Sequence, residues 1–191
     1  MLRHAELEIT NLKGHFKLKE KVKLKSFFNH LTEEEKANQL SIKINFSIFR
    51  EPNNKKLVFT IFHDSHHVNI TGFSSDSELQ SALSFFNTQF DQNISVDVVK
   101  IDNITAVGYI WNEEGGKINL IDIENSIREL NLPFTTVSLR PEFFPGAVIR
   151  TRGAGTVILF SSGKYIIVGT KTPCQLKETH ETFLANIRRK L

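Results

Sequence analysis

The sequence predicts an α+β fold. Two tandem, related halves, residues 1–93 and 94–191, build antiparallel sheet with helices covering one face. Three observations predict it. Residues 9–12 read ITNL and residues 101–104 read IDNI, which aligns Asn11 with Asn103 about half a chain apart. Each half then runs through several short apolar stretches of strand type. Each strand block ends in a two-residue signal, Thr71-Gly72 or Val168-Gly169, followed by an amphipathic helix. Similarity at such a period points to a repeated architecture.

In the first half a strand at ITNL precedes a segment of helical spacing, with Phe27, Phe28 and Leu31 in VKLKSFFNHL. SIKINFSIF, KKLVFTIF and HVNITGF follow as strand runs. The closing helix, SSDSELQSALSFFNTQF, places Leu79, Leu83, Phe86 and Phe90 on one stripe, with Ser75 or Asp76 as N-cap. The second half repeats the order. Ile123, Ile127 and Leu130 mark its first helix, then TTVSLR, GAVIRT, TVILF and KYIIVGT read as strands. Thr172 caps the last helix and Pro173 takes its first position. Leu176, Phe183, Ile187 and Leu191 form the stripe, and Arg188, Arg189 and Lys190 suit the negative end of the helix dipole. A sheet covered on one side leaves its other face open, and an open apolar face is a binding surface.

Composition excludes several function classes. Forty per cent apolar and 24% charged residues are ordinary globular values, which argues against disorder. No run is long and apolar enough to span a bilayer, and the first ten residues lack a signal-peptide core, so an intracellular protein is expected. The single cysteine, Cys174, allows no internal disulfide and fits a reducing compartment. A net charge of +3 permits a nucleic-acid partner without requiring one. The chain lacks GxxxxGK[ST], HExxH and GxSxG, so catalysis is not expected. Glu113 to Gly116 read as a hairpin or loop signal. His63, Asp64, His66 and His67 are residue types that ligate zinc, but crowded into one hairpin they read as an exposed turn. No metal or cofactor is expected. The run KLKEKVKLK at 17–25 reads first as a solvated face and second as a phosphate contact.

The stretch EFFPGAVIR followed by VILFSSGKYIIVGTK resembles the second repeat of the TATA-box-binding protein family. IDNIT at 101–105, ITNL at 9–12 and FREP at 49–52 resemble further family motifs. The resemblance spans residues 7–190 and is strongest over 140–171. It implies a saddle-shaped, curved antiparallel sheet with helices on the convex face and DNA on the concave face. It implies a transcription initiation factor that binds and bends AT-rich promoter DNA through the minor groove. Its partners would be an initiation-factor-B-like protein and RNA polymerase. It would act in the nucleus, in the cytoplasm of a prokaryote, or at a site of viral transcription. The groove offers few hydrogen-bonding differences, so such proteins read it by width, deformability and apolar wedges.

Position by position, the resemblance implies Phe144 and Phe160 as the wedge pair of the second half. Core packing is the ordinary alternative for any of the 16 phenylalanines. Asn11 and Asn103 match the base-edge asparagines; the alternative for both is a turn or cap role. Ile158, Ile166, Val168, Thr105, Thr71 and Leu57 stand at concave apolar positions, and Lys13 stands where the family has valine. Arg150 and Lys164 match phosphate contacts on the rim. In the first half Ile42 takes one wedge position and Phe59 the other, with Phe62 the alternative because the hairpin is longer. Ile48 replaces a rim arginine. Glu142 keeps one acidic partner-binding position and Arg140 replaces the other. A lopsided protein follows, with the second half gripping more firmly. The alternative function is an interaction module of the same fold that has lost promoter recognition. A third is a substrate-binding domain of a nucleic-acid enzyme, disfavoured by the presence of both halves in a nearly stand-alone chain.

Overall fold

The structure, a computed structural model, describes residues 2–21, 33, 40–42, 46–51, 54–62, 65–112, 116–129, 134–151 and 155–187. The chain divides into two compact units. The first-repeat unit is Asn11–Asp102; the second-repeat unit is Asn103–Leu191 together with Met1–Thr10.

The first-repeat unit holds β2 (Glu8–Lys17), β3 (Leu40–Ile42), β4 (Phe46–Glu51), β5 (Asn54–Phe62) and β6 (His67–Phe73), hydrogen-bonded in the order β3-β4-β5-β6-β2. Every pairing described within it is antiparallel. The run SIKINFSIF, read as one strand, is divided between β3 and β4, which pair with each other. Helix α1 (Asp76–Phe90) covers one face. Ser75 caps it, its hydroxyl accepting the Glu78 N–H at 3.3 Å, while the Glu78 carboxylate reaches back to the Ser74 N–H. This reciprocal cap satisfies N–H groups that the first turn leaves without partners. Leu79, Leu83, Phe86 and Phe90 are all buried. The Phe86 ring sits 5.3 Å from that of Phe16 and 4.9 Å from that of Phe59, forming an aromatic core beneath the sheet.

The second-repeat unit repeats the plan. β7 (Lys100–Asn112), β8 (Phe134–Arg140), β9 (Phe144–Thr151), β10 (Thr156–Phe160) and β11 (Lys164–Thr170) run in the order β7-β11-β10-β9-β8. A short strand that the sequence did not signal, β1 (Leu2–His4), pairs with β7. Helices α2 (Leu120–Glu129) and α3 (Pro173–Ile187) supply the buried stripes Leu120, Ile123, Ile127 and Leu176, Phe183, Leu184, Ile187. Thr172 caps α3 by accepting the Gln175 N–H at 3.2 Å, and the Gln175 side chain takes the Lys171 N–H at 2.9 Å. The cap thus has the same reciprocal form in both units.

Alternation is the consequence that matters. In β10 and β11, Val157, Leu159, Tyr165 and Ile167 are buried, while Ile158, Phe160, Ile166 and Val168 are only half-buried on the opposite face. That face carries no helix among the described elements of its unit. The segment with Phe27, Phe28 and Leu31 lies outside the described residues, as do Leu130, Arg188, Arg189, Lys190 and Leu191.

Candidate nucleic-acid interface

The open face of the second-repeat unit is built by register. Val148 pairs with Ile158, Ile158 with Ile166, and Ile166 with Val107, making an apolar row across four strands. One row further along, Gly146 pairs with Phe160, and Lys164 pairs with Tyr109. In the other direction Arg150 pairs with Thr156, and Thr156 with Val168.

Phe144 opens β9 on this face, opposite Arg140, and is 40% exposed. Its ring lies 5.9 Å from that of Phe160, edge against face. Gly146 makes this approach feasible. A Cβ there would stand 2.9 Å from Phe144 Cε1 and 3.2 Å from Phe160 Cε1, so a side chain would push the rings apart. Burying a phenylalanine contributes about 1.5–3 kcal/mol. Leaving two rings together on water is a cost that a binding surface explains. Arg150 is exposed and Lys164 half-buried on the same face.

Both asparagines are fixed by turns. Oδ1 of Asn103 accepts the Gly169 N–H at 2.6 Å, and Oδ1 of Asn11 accepts the Gly72 N–H at 2.9 Å. Both glycines have positive φ, +84° and +96°, at breaks in the strand register. These are the Thr-Gly and Val-Gly signals of the sequence, and only glycine adopts that conformation without strain. Nδ2 of Asn103 also donates to the Thr105 hydroxyl at 3.0 Å, and the Thr71 hydroxyl donates to Oδ1 of Asn11 at 3.4 Å. A carboxamide carries two N–H groups, so each asparagine keeps at least one donor beyond these bonds. Turn and base-edge roles, alternatives in the sequence, are compatible in one side chain.

Two expectations for the first half are corrected. Phe59 has no exposed surface, and Leu57 is 2% exposed; both point to the helix side of β5. Phe59 belongs to the aromatic core with Phe86, and cannot be a wedge. The outward residues of β5 are Val58, Thr60 and Phe62, all half-buried. Phe62, the alternative raised by the longer hairpin, stands on the open face and pairs in register with Phe46. Thr60 was the signal available in the sequence: a polar residue next to Phe59 marks the outward row and sends Phe59 inward. Ile42 ends β3 opposite Ser47, and its side chain lies outside the described residues.

The open face of this unit is also more polar than its counterpart. Rows run Arg50–Val58–Thr71–Lys13 and Ile48–Thr60–Asn69–His15. Nδ1 of His15 meets Asp102 Oδ2 at 2.8 Å. Near the hairpin that follows β5, His66 Nδ1 donates to the Leu18 carbonyl at 3.1 Å, while His63 and Asp64 lie outside the described residues. Glu142 and Arg140 are exposed at the β8–β9 turn, where the Phe143 N–H donates to the Arg140 carbonyl at 3.0 Å.

Two repeated units thus each present an antiparallel sheet face that no described helix of the unit covers, together with a turn-locked asparagine. Residues 98–190 match the family model described as transcription factor TFIID, or TATA-binding protein. No curated protein sequence gives a match. Among solved structures, the TATA-binding protein of Methanococcus jannaschii shares the fold, with a TM-score of 0.75 and 23% identity over 97% of this chain and 99% of that one. The second half of the chain thus matches the TATA-binding protein family by sequence, and the fold of that family extends over nearly all of the chain.

Proposed function

We propose that this protein binds AT-rich promoter duplex in the minor groove through its open sheet faces and bends it by inserting Phe144 and Phe160. The observation that carries this reading is the ring pair itself, exposed at the end of an apolar row with Gly146 beneath it. Unstacking a base step costs a few kcal/mol, offset by restacking on the rings and by the added contact that bending permits. Asn103 and Asn11 donate to groove acceptors, which every base pair presents on the minor-groove side. Ile158, Ile166, Val168, Thr105 and Thr71 pack on sugars, and Arg150 and Lys164 take phosphates. In the first half Phe62 replaces Phe59 as wedge candidate.

The bent DNA is then presented to an initiation-factor-B-like protein, with Glu142 and Arg140 at the contact, and to RNA polymerase. Binding, not catalysis, is the activity. The site of action is wherever the template lies, the nucleus in a eukaryote.

The polar face of the first-repeat unit favours one second reading, an interaction module of the same fold without promoter recognition. Fluorescence anisotropy with AT-rich and GC-rich duplexes separates the two. The DNA reading expects tighter binding to the AT-rich duplex and affinity that falls steeply with salt. An absence of binding at low salt supports the interaction module.

A further inference from the structure

The outward residues of β7 continue past the two already used: Asn103, Thr105, Val107, Tyr109 and Trp111 alternate with buried Ile104, Ala106 and Ile110. Tyr109 is 47% exposed and Trp111 43%. Neither belongs to the roles the family resemblance assigned. Register gives each ring a cation as cross-strand neighbour. Tyr109 pairs with Lys164 in β11, and Trp111 pairs with Arg3 in β1. Directly opposed residues of an antiparallel pair share a face, so both rings and both cations stand on the open side. Phe160 precedes the turn that leads into Lys164, which places Tyr109 two strand spacings, roughly 10 Å, across the sheet from the phenylalanine pair.

We infer that Tyr109 and Trp111, with Lys164 and Arg3, form a second contact strip for duplex DNA, seated on the sugar-phosphate backbone beside the kinked step. The inference rests on the DNA-binding reading. Its carrying observation is the pairing of rings with cations. Flat aromatic faces suit deoxyribose and exposed base edges, and the adjacent cations suit phosphates. Nucleic acid offers apolar rings and regular negative charge within the same few ångströms. An apolar protein surface would desolvate the Lys164 ammonium beside Tyr109, and a merely acidic one would leave the rings unused.

Trp111 is the only tryptophan of the chain, so its emission reports on this strip alone. The full chain is titrated with a dye-labelled AT-rich duplex while label anisotropy and tryptophan emission are followed together. The inference expects emission to quench in step with the anisotropy rise. It expects Trp111→Ala and Tyr109→Ala each to weaken binding on the order of tenfold. Arg3→Gln should lower the slope of log affinity against log salt by about one. Anisotropy that rises with unchanged emission, and variants that bind as the parent does, overturn the strip and leave the DNA reading standing. No anisotropy rise at low salt overturns both. Quenching by a single-stranded oligonucleotide but not by the duplex overturns the duplex assignment.

Discussion

The carboxamide oxygen of Asn103 accepts the backbone N–H of Gly169 at 2.6 Å. Asn11 and Gly72 repeat the bond in the other unit at 2.9 Å. Each glycine sits at a register break with positive φ, where its N–H has left the strand ladder. The asparagine oxygen satisfies that group and so sets the orientation of the amide nitrogen.

Asparagine and aspartate at position 103 therefore part company. Asn103→Asp keeps the acceptor for Gly169 but loses the donor and adds negative charge. Its melting temperature should stay near that of the parent while affinity for AT-rich duplex falls tenfold or more. Asn103→Ala removes both; Gly169 is exposed, so water replaces the bond and the stability loss should be no more than about 1 kcal/mol. Thermal melting beside anisotropy titration checks the pair.

Gly146→Ala tests the room beneath the rings. The new methyl would meet Phe144 and Phe160 closer than ordinary van der Waals contact, splaying a pair that stands partly on water. Bending of bound DNA should fall more than affinity, with little change in the denaturation midpoint. Circular-permutation gel mobility reads the bend.

Phe59 and Phe62 should separate stability from binding. Phe59→Ala opens a cavity against Phe86 and should cost about 3–5 kcal/mol in urea unfolding. Phe62→Ala, on the open face, should cost no more than about 1 kcal/mol and weaken DNA binding. The reverse pattern would restore Phe59 as the wedge.

Tyr165 lies against α3 with its hydroxyl 2.7 Å from His180 Nε2, and burial pushes its pKa from 10.0 up to about 12. The folded state thus holds a proton that the unfolded chain releases first. Stability should be unaffected by this group below pH 10 and should decline as pH rises towards about 12. Tyr165→Phe should flatten that decline. Denaturant midpoints measured across the alkaline range check the sign.

What the sequence disclosed followed from resemblance and from local pattern. The second-half runs TVILF and KYIIVGT are apolar on both faces, so the outward places of Ile158, Phe160, Ile166 and Val168 rest on the family resemblance and not on alternation. The helix caps were readable from local pattern, since Ser75 and Thr172 precede clear apolar stripes. The first half resisted because its hairpin is longer than the family's, so spacing along the chain does not fix which phenylalanine of β5 faces outward. A displacement by any odd number of residues along a strand turns a side chain to the other face, and Phe59 and Phe62 lie three apart. The pairing of β1 with β7 depends on contacts distant in sequence, which no local pattern announces, whereas β3 and β4 pair locally, Ile42 with Ser47, inside one apolar run.

The central claim is that Phe144 and Phe160 bend duplex DNA. The most direct measurement is the end-to-end distance of an AT-rich duplex labelled at both ends, by energy transfer, when saturated with the parent or with Phe144→Ala/Phe160→Ala. The account predicts a marked shortening with the parent and a nearly straight duplex with the double variant, whose melting temperature stays close to the parent's. Equal shortening with both proteins would contradict it.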